Sequence, residues 1–221
     1  MATLANMLTS FKIPDKTPEE WEEWDRVLEA EELKKIQSEY SKRWMTESHV
    51  PKEFIDASKM MPEVEEWVLS NPTNGLLLQG LSGRGKTYQA CAALRLMLWN
   101  GRRVLFTTFT DIKHSAKDCF QGLQRESDAI AQYTTPYCLL IDDVGKEQMT
   151  AWSLPIFFEI VKKRGERMKP TIITTNDTGR QLLGKFTVDG DRATADAILS
   201  RFSAYKIIKM NGEDRRKMTM L

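Results

Sequence analysis

The residues best suited to chemistry lie in one short stretch, GLSGRGKT, which runs from Gly80 to Thr87. Its spacing fits G-x-x-x-x-G-K-[ST], a loop whose backbone N–H groups surround a phosphate. The glycines at 80, 83 and 85 let the backbone approach an anion closely, because glycine has no Cβ. In such a loop Lys86 reaches the β- and γ-phosphates and the Thr87 hydroxyl ligates Mg²⁺. The stretch therefore predicts a site for ATP and Mg²⁺.

The segments on either side of this loop have the character that the motif requires. The apolar run GLLLQG before it predicts a buried strand, and YQACAALRLMLWN after it predicts a helix. The positive end of that helix would face the phosphates. A glycine-rich turn that matches by chance is the alternative, and the flanking strand and helix argue against it. The predicted nucleotide contacts are Gly80, Leu81, Ser82, Gly83, Arg84, Gly85, Lys86, Thr87 and Tyr88.

A second candidate site is the pair of aspartates that ends the apolar run in YCLLIDDVG. Open α/β sheets bind ligands at the carboxyl ends of their strands, where Asp142 and Asp143 would lie. Asp142 fits the Walker B role of holding Mg²⁺, and Asp143 stands where many such hydrolases carry a glutamate that polarises the attacking water. Because aspartate is one methylene shorter, Glu147 is the reserve candidate for that role. Two aspartates can also simply end a strand in a turn.

A third candidate is Asn176 in TIITTND, at the tip of the next predicted strand. A polar side chain beside the Walker B strand could touch the γ-phosphate or position a water molecule. Asparagine before Asp-Thr-Gly is also ordinary turn chemistry. Both interpretations stay open on these residues alone.

An alternation of strands and helices must position these side chains. From residue 75 onward, short apolar strands alternate with helices, which predicts an α/β fold with a five-stranded parallel sheet between helices. A helix from Pro62 to Leu69 precedes them and ends at Asn71-Pro72. The strands are predicted near Gly75–Gln79, Val104–Thr108, Tyr137–Ile141, Thr171–Thr175 and Tyr205–Lys209.

The N-terminal residues predict an amphipathic helix that lies apart from these motifs. Thr17, Pro18 and Glu20 form a capping box with proline at the first helical position. One face is acidic, and the other repeats apolar residues near helical period: Trp21, Trp24, Leu28, Leu33, Ile36, Tyr40 and Trp44. This face either packs on the chain's own core or binds a partner.

The division of the chain follows from where these signals lie. We predict a helical, partner-binding N-terminal arm at residues 1–48 and a nucleotide-binding domain at residues 49–221. A linker broken by Pro51 is expected over His49–Ser58.

Composition restricts the class of protein further. The net charge is +1, so any nucleic-acid site must be local. Three widely spaced cysteines, Cys91, Cys119 and Cys138, form no C-x-x-C pair and indicate thiols in a reducing compartment. No segment approaches 18 uncharged apolar residues, and the first residues do not form a secretory signal. We therefore expect a cytoplasmic protein with no membrane association.

Taken together, GLSGRGKT, LLIDDVG, TIITTN and AILSRFSAYKIIKMNGEDRR resemble the AAA+ ATPases of the DnaC and IstB group. These are bacterial and phage replicative helicase loaders and their transposition-helper relatives. VPKEFIDAS resembles the segment that leads into the ATPase domain of the group, and the G-x-D-x-R of GEDRR resembles its end. The resemblance covers roughly residues 50–216, and the closing segment makes it more specific than the Walker motifs alone.

The resemblance implies roles for particular residues. Lys86 and Thr87 would bind ATP and Mg²⁺, and Asn176 would be sensor one. Arg201, in SRF, would be an arginine finger that stabilises the transferring phosphoryl group on a neighbouring subunit, although a surface charge at a helix end is the alternative. Arg180 and Arg192 are weaker candidates for the finger.

Two departures from the family pattern are visible in the sequence. Asp143 replaces the more usual glutamate of AAA+ proteins, which implies slow hydrolysis. About a dozen residues follow the last predicted strand, which leaves no room for the helical lid domain of many AAA+ proteins. Loaders of this group also lack that lid.

Partners also follow from the resemblance. It implies a hexameric, DnaB-like replicative helicase bound through the N-terminal arm, self-association through the ATP sites, and contact with single-stranded DNA. Phe109, Lys113 and His114 follow the second strand, where related proteins contact DNA. Aromatic and basic side chains suit stacked bases and phosphates, and a solvated helix face explains the same residues equally well.

The function expected from this sequence is ATP-dependent loading of a replicative helicase onto single-stranded DNA. The alternatives are an IstB-like transposition helper that remodels duplex DNA and a nucleotide-gated binding module with negligible turnover. A small-molecule P-loop kinase is disfavoured, because LLIDDVG and TTN suit water activation better than recognition of an acceptor hydroxyl.

Overall fold

A computed structural model describes residues 39, 42–212 and 214. Contacts divide the chain into two compact units, Met1–Tyr40 and Ser41–Leu221. The predicted capping box at Thr17 and most of the tryptophan-bearing helix lie outside the described residues. Those predictions therefore stay predictions.

The described elements alternate as expected from the sequence. After the predicted helix, named α1, each of the first four strands is followed by one or two helices. A single 3₁₀ turn at Lys52–Phe54 precedes them. The elements are α1 (Pro62–Leu69), β1 (Leu76–Gln79), α2 (Lys86–Trp99), β2 (Val104–Thr108), α3 (Phe109–Phe120), α4 (Glu126–Thr134), β3 (Cys138–Asp142), α5 (Ser153–Glu166), β4 (Thr171–Thr175), α6 (Gly179–Phe186), α7 (Arg192–Ser203) and β5 (Lys206–Lys209).

The five strands form one parallel sheet in the order β2-β3-β4-β1-β5. The register pairs Thr108 with Asp142 and Gln79 with Thr175, so the carboxyl ends of four strands meet at one edge. Ligands of open α/β sheets bind at this edge. The predicted α/β fold with a five-stranded parallel sheet between helices is confirmed.

A hydrophobic core lies on each face of the sheet. The strands β3 and β4 are buried along their whole length, which explains their continuous apolar or threonine-rich sequences. The core on one face contains α1 and α2, and the core on the other contains residues of α3 to α7. Phe109, Phe157, Phe186 and Phe202 pack edge-to-face or tilted in the second core.

The segment before α1 packs on the first core instead of forming the expected linker. Residues 42–47 are helical, and Met45, Val50 and Ala57 are buried in that core. The Ser48 carbonyl accepts the Phe106 N–H at 2.9 Å, which covers part of the edge strand β2. The packing of Met45 joins residues 42–47 to the nucleotide-binding part of the chain. A truncation that spares this packing must therefore leave residues 42–47 in place.

Arg164 holds together the amino-terminal ends of the strands, on the opposite side of the sheet from the predicted nucleotide site. It is fully buried on α5, yet its guanidinium makes five hydrogen bonds. The acceptors are the Thr171 hydroxyl and the carbonyls of Tyr133, Pro136, Tyr137 and Pro170, at 2.7–3.1 Å. Burial lowers the pKa of Arg164 to about 10, which leaves it charged at neutral pH. One side chain thus holds the starts of β3 and β4 and the end of α4.

The cysteines are free thiols in the described chain, and two of them are buried. Burial raises the pKa of Cys91 and raises that of Cys138 to about 12. Such thiols are unreactive. Among the described residues, no helix has the length and apolar character needed to cross a membrane.

Candidate nucleotide-binding site

The phosphate-binding loop lies between β1 and α2, as the motif requires. The Gly80 N–H donates to the Thr175 carbonyl at 3.1 Å, which fastens the loop to β4. Gly83 has φ +77°, and a Cβ there would lie 1.9 Å from the Asp214 carboxylate. A side chain at residue 83 would therefore be strained and would collide with the segment that follows β5. This close packing is a reason for glycine at 83 that the motif alone does not give.

Lys86 brings the loop and the tip of β4 together. Its ammonium donates to the Leu81 carbonyl at 2.9 Å and to the Asn176 Oδ1 at 2.7 Å. The side chain is only 6% exposed. Asn176 is therefore in contact with the lysine that is predicted to bind phosphate, as its predicted sensor role requires.

Thr87 and Asp142 form the candidate metal site. The Thr87 hydroxyl donates to Asp142 Oδ1 at 2.9 Å, and the Thr174 hydroxyl donates to the same oxygen at 2.6 Å. Burial raises the pKa of Asp142, the hydrogen bond from Thr174 lowers it, and the charge of Asp143 raises it again. One hydroxyl beside one carboxylate fits Mg²⁺, which accepts hard oxygen ligands and fills its remaining positions with phosphate and water. Among the described residues, no cluster of three acidic, histidine or cysteine side chains offers another site.

Asp143 adopts a conformation that L-residues rarely use. Its φ is +56°, and its N–H donates to the Thr174 hydroxyl at 2.9 Å. The side chain lines the nucleotide cavity and lies 3.6 Å from the Lys146 ammonium. Strained backbone of this kind is concentrated at functional sites. Asp143, which is predicted to polarise the attacking water, therefore lines the cavity. It lies beside the Lys146 ammonium, which the sequence did not reveal as part of the site.

Glu147, the reserve candidate, is committed elsewhere. Its carboxylate accepts from the Lys113 ammonium at 2.6 Å and from the Thr110 hydroxyl at 2.8 Å. The hydrogen bond from Lys113 is the main reason that the pKa of Glu147 is lowered. Glu147 is absent from the described lining of the cavity. The lowered pKa makes Glu147 a weaker base than an ordinary glutamate. Its hydrogen bonds join α3 to the loop that follows β3.

The residues predicted to contact DNA have different environments. Phe109 is fully buried in the second core, and Lys113 is 8% exposed and paired with Glu147. Neither side chain is available to a nucleic acid in this structure, because each is used in packing α3. His114 is exposed. The prediction that Phe109 and Lys113 contact DNA is therefore wrong for this structure.

A hydrogen-bonded pair beside Asn176 supports the loops that follow β3 and β4. Lys185 donates to the Asp177 carboxylate at 2.6 Å and to the Gly145 carbonyl. Gln79 donates from its amide to the Asp177 carbonyl at 2.6 Å. These contacts join the end of β1 to the loops that follow β3 and β4. The sequence carries no local signal for them, since the partners are 8 to 98 residues apart.

The cavity that these residues enclose has a volume of about 810 Å³. That volume is within the usual range for small-molecule and cofactor sites. Of the predicted contacts, Gly80, Leu81 and Arg84 are not in its described lining. The residues that line it are Glu53, Phe54, Lys59, Ser82, Gly83, Gly85, Lys86, Thr87, Tyr88, Gln89, Asp142, Asp143, Lys146 and Asn176.

Arg201 lies far from this cavity in its own chain. Its guanidinium donates to the Ala197 carbonyl at 2.8 Å and lies 5.1 Å from the centre of the Phe158 ring. Arg201 lies in the last turn of α7, just before β5, whose first residue Lys206 pairs with Leu76 at the start of β1. The phosphate loop follows the other end of β1. Arg201 therefore lies near the amino-terminal ends of β1 and β5, whereas its own phosphate loop follows the carboxyl end of β1.

The weaker finger candidates are exposed and differ from Arg201 in their contacts. Arg192 pairs with Asp196 at 3.3 Å, four residues along the same helix. Arg180 lies in the first turn of α6. Of the three arginines, Arg201 alone has its guanidinium over an aromatic ring among the described contacts.

Two curated proteins are similar to this chain over more than half of its length. The chain is 28% identical over 136 residues to the replicative helicase loader DnaC of Escherichia coli K12, covering 60% of this chain and 55% of that protein. It is 32% identical over 148 residues to a putative insertion sequence ATP-binding protein of Sinorhizobium fredii, covering 66% and 48%. The chain thus spans about half the length of these relatives.

A solved structure has the same fold. The crystal structure of DnaI superimposes with a TM-score of 0.63 at 22% identity, covering 73% of this chain and 94% of that one. The sequence profile of the IstB-like ATP binding proteins matches residues 58–221, most of the chain. Together with the phosphate loop, the Walker B aspartate and the parallel sheet, this match shows that the chain belongs to the IstB-like family of ATP-binding proteins.

Proposed function

We propose that the protein is an ATPase that loads a hexameric, DnaB-like replicative helicase onto single-stranded DNA. The observation that carries the proposal is a nucleotide site contained within residues 42–214, in a chain similar to the helicase loader DnaC. Residues 1–40 form a separate unit. We assign helicase binding to this N-terminal unit, because every nucleotide motif lies outside it.

ATP hydrolysis in the proposed site would use side chains that are already close together. Lys86 supplies positive charge to the β- and γ-phosphates, and Asn176 holds the lysine at 2.7 Å. Asp143 accepts a proton from, or orients, the attacking water at the carboxyl end of β3. Thr87 and Asp142 would hold Mg²⁺, which neutralises charge on the phosphates when it is bound. The short reach of Asp143 is the reason that we expect slow turnover.

The position of Arg201 supports a site shared between two copies of the chain. A guanidinium at the sheet edge opposite its own phosphate loop cannot contact its own γ-phosphate. It can contact the nucleotide of a neighbouring copy, where it would stabilise charge on the transferring phosphoryl group. Hydrolysis would then depend on assembly.

The loader proposal is tested with purified protein and a DnaB-type helicase. Unwinding of a forked duplex on circular single-stranded DNA coated with binding protein requires loading, because a closed ring cannot thread onto a circle. The full chain with ATP should permit unwinding, and residues 41–221 alone should not. Unwinding that is equally fast without the protein, or with residues 41–221 alone, would contradict the assignment.

A second function is favoured by the higher identity to the insertion-sequence protein of Sinorhizobium fredii. A transposition helper would assemble on duplex DNA in the presence of ATP. Binding of the full chain to labelled 60-mers, single-stranded and duplex, separates the two functions. Preference for duplex DNA with ATP-dependent filaments would favour the transposition role. A chain that binds ATP and a partner but shows no turnover when assembled would instead be a nucleotide-gated binding module.

A further inference from the structure

The nucleotide cavity has one side that the phosphate motifs do not explain. Residues 52–61, here named the upstream wall, contribute Glu53, Phe54 and Lys59 to its lining. The phosphate end is defined by Lys86 and Thr87, which would hold the triphosphate. The nucleoside end of ATP would therefore face the upstream wall.

Two consecutive side chains at the start of α2 hold the upstream wall in place. The Gln89 amide oxygen accepts the Met61 N–H at 2.7 Å, and the amide nitrogen donates to the Lys59 carbonyl at 3.1 Å. The Tyr88 hydroxyl accepts the N–H groups of Ser58 and Lys59 at 3.3 and 3.4 Å. Four hydrogen bonds thus join the first turn of the phosphate-loop helix to this wall.

The Gln89 side chain, which also lines the cavity, uses its amide to hold the upstream wall. It is 3% exposed, and both functional atoms of its amide are used by the wall. A buried amide is stable only where it is hydrogen-bonded, and removing it would leave the backbone groups of residues 59 and 61 without these partners. The Tyr88 hydroxyl makes longer bonds, so its share is smaller.

We propose that Gln89 is a positioning residue that sets the affinity of the site for the nucleoside part of ATP, assisted by the Tyr88 hydroxyl. The proposal rests on the ATP site described above and goes beyond it, since it assigns the base-side half of the cavity to a residue outside the phosphate motif. The contacts of Lys86 with Leu81 and Asn176 do not pass through Gln89. Affinity for the nucleoside and affinity for the triphosphate should therefore separate in a Gln89 variant.

The test compares ATP with inorganic tripolyphosphate, which keeps the phosphates and lacks the nucleoside. Both are titrated calorimetrically, with Mg²⁺, into the full-length protein and into Gln89→Leu, which is similar in size but cannot hydrogen-bond. We expect ATP binding to weaken by about tenfold, the equivalent of one well-formed hydrogen bond. Tripolyphosphate binding should change by less than about twofold, which purely structural damage to the loop would not produce.

Three further variants sharpen the comparison. Tyr88→Phe should weaken ATP binding in the same selective way but less. Gln89→Glu keeps the acceptor toward Met61, loses the donor toward Lys59, and gives a second variant if Gln89→Leu folds poorly. Gln181→Leu removes a glutamine that caps α6 away from the cavity. This matched control should leave both ligands unaffected.

The outcomes separate the proposal from the site on which it rests. Equal weakening of ATP and tripolyphosphate in Gln89→Leu would show that Gln89 only supports the helix, and would overturn the proposal. Unchanged ATP affinity in both Gln89 variants would also overturn it. Failure of the ATP site itself would appear elsewhere, as Lys86→Ala binding both ligands as tightly as the unchanged protein.

Discussion

Arg201→Ala tests whether the catalytic site is shared between copies of the chain. In the isolated chain this substitution removes the hydrogen bond to the Ala197 carbonyl and the contact with the Phe158 ring. These are worth about 1 kcal/mol and about 0.5–1 kcal/mol, so the free energy of unfolding should fall by about 2 kcal/mol at most. The melting temperature should fall by roughly 3–8 °C for a chain of this size, and the protein should stay folded.

The expected effect on hydrolysis is much larger than the effect on stability. About 13 Å of strand separates the start of β1, which pairs with Lys206, from the phosphate loop, at about 3.3 Å for each of four residues. Affinity of the monomer for ATP should therefore change by less than about twofold. Hydrolysis by the assembled protein should fall on the order of 10³-fold, or about 4 kcal/mol in activation free energy.

The assay measures phosphate release as a function of protein concentration, with assembly followed by light scattering. Arg201→Ala keeps its own phosphate loop and Lys86→Ala keeps its arginine, so a mixture of the two should recover partial activity. Arg201→Lys is the control for charge, and it should stay impaired because lysine lacks the planar fork of donors. Full activity of Arg201→Ala alone, or an inactive mixture whose co-assembly is demonstrated, would refute the shared site.

Three other predictions follow from the structure. Because burial raises the pKa of Asp142, the native chain holds this proton more tightly than the unfolded chain, and stability falls as the pH rises above its usual pKa. Asp142→Asn should therefore raise the melting temperature of the nucleotide-free protein at pH 7 while abolishing Mg²⁺-dependent turnover; a lower melting temperature would contradict this. Deleting residues 1–40 should preserve ATP affinity, whereas deleting 1–46 also removes the buried Met45 and should cost about 1.5–3 kcal/mol in denaturant unfolding. Arg164→Leu should lower the free energy of unfolding by about 3–5 kcal/mol, because five hydrogen-bond acceptors lose their donor, and unchanged stability would show that they find other partners.

The parts of the molecule that the sequence predicted are those encoded locally. β2 and β4 have the predicted bounds, β1 and β5 begin one residue later than predicted, and β3 is shifted by one residue at both ends. The predictions come this close because each strand is a short apolar run between turn signals. The phosphate loop and Asp142 come together because the ends of parallel strands share an edge. Local pattern and sheet geometry suffice for both.

The errors occur where a distant partner decides the role of a side chain. Lys113 looked like a DNA contact, and its partner Glu147 lies 34 residues away. For Phe109 a local signal existed: Phe109, Ile112 and Ala116 follow helical spacing and are all buried. Gln89 carried no signal, since a lone glutamine in an apolar helix does not reveal the backbone groups, 28 and 30 residues upstream, that it holds.

In the proposed function, the nucleotide site is linked to assembly and to the N-terminal unit. Gln89 lies two residues after Thr87, the last residue of the phosphate loop, and holds the upstream wall. The chain before that wall is bonded to β2 through Ser48 and packs on the core through Met45. The next residues toward the N-terminus enter the unit that ends at Tyr40. Arg201 lies near the opposite ends of the strands of the same sheet, where, in the proposed shared site, it would act on the nucleotide of a neighbouring copy. A ligand can shift an equilibrium only through contacts that differ between states, and ATP would contact both the upstream wall and the neighbour's arginine only in an assembled, nucleotide-bound protein.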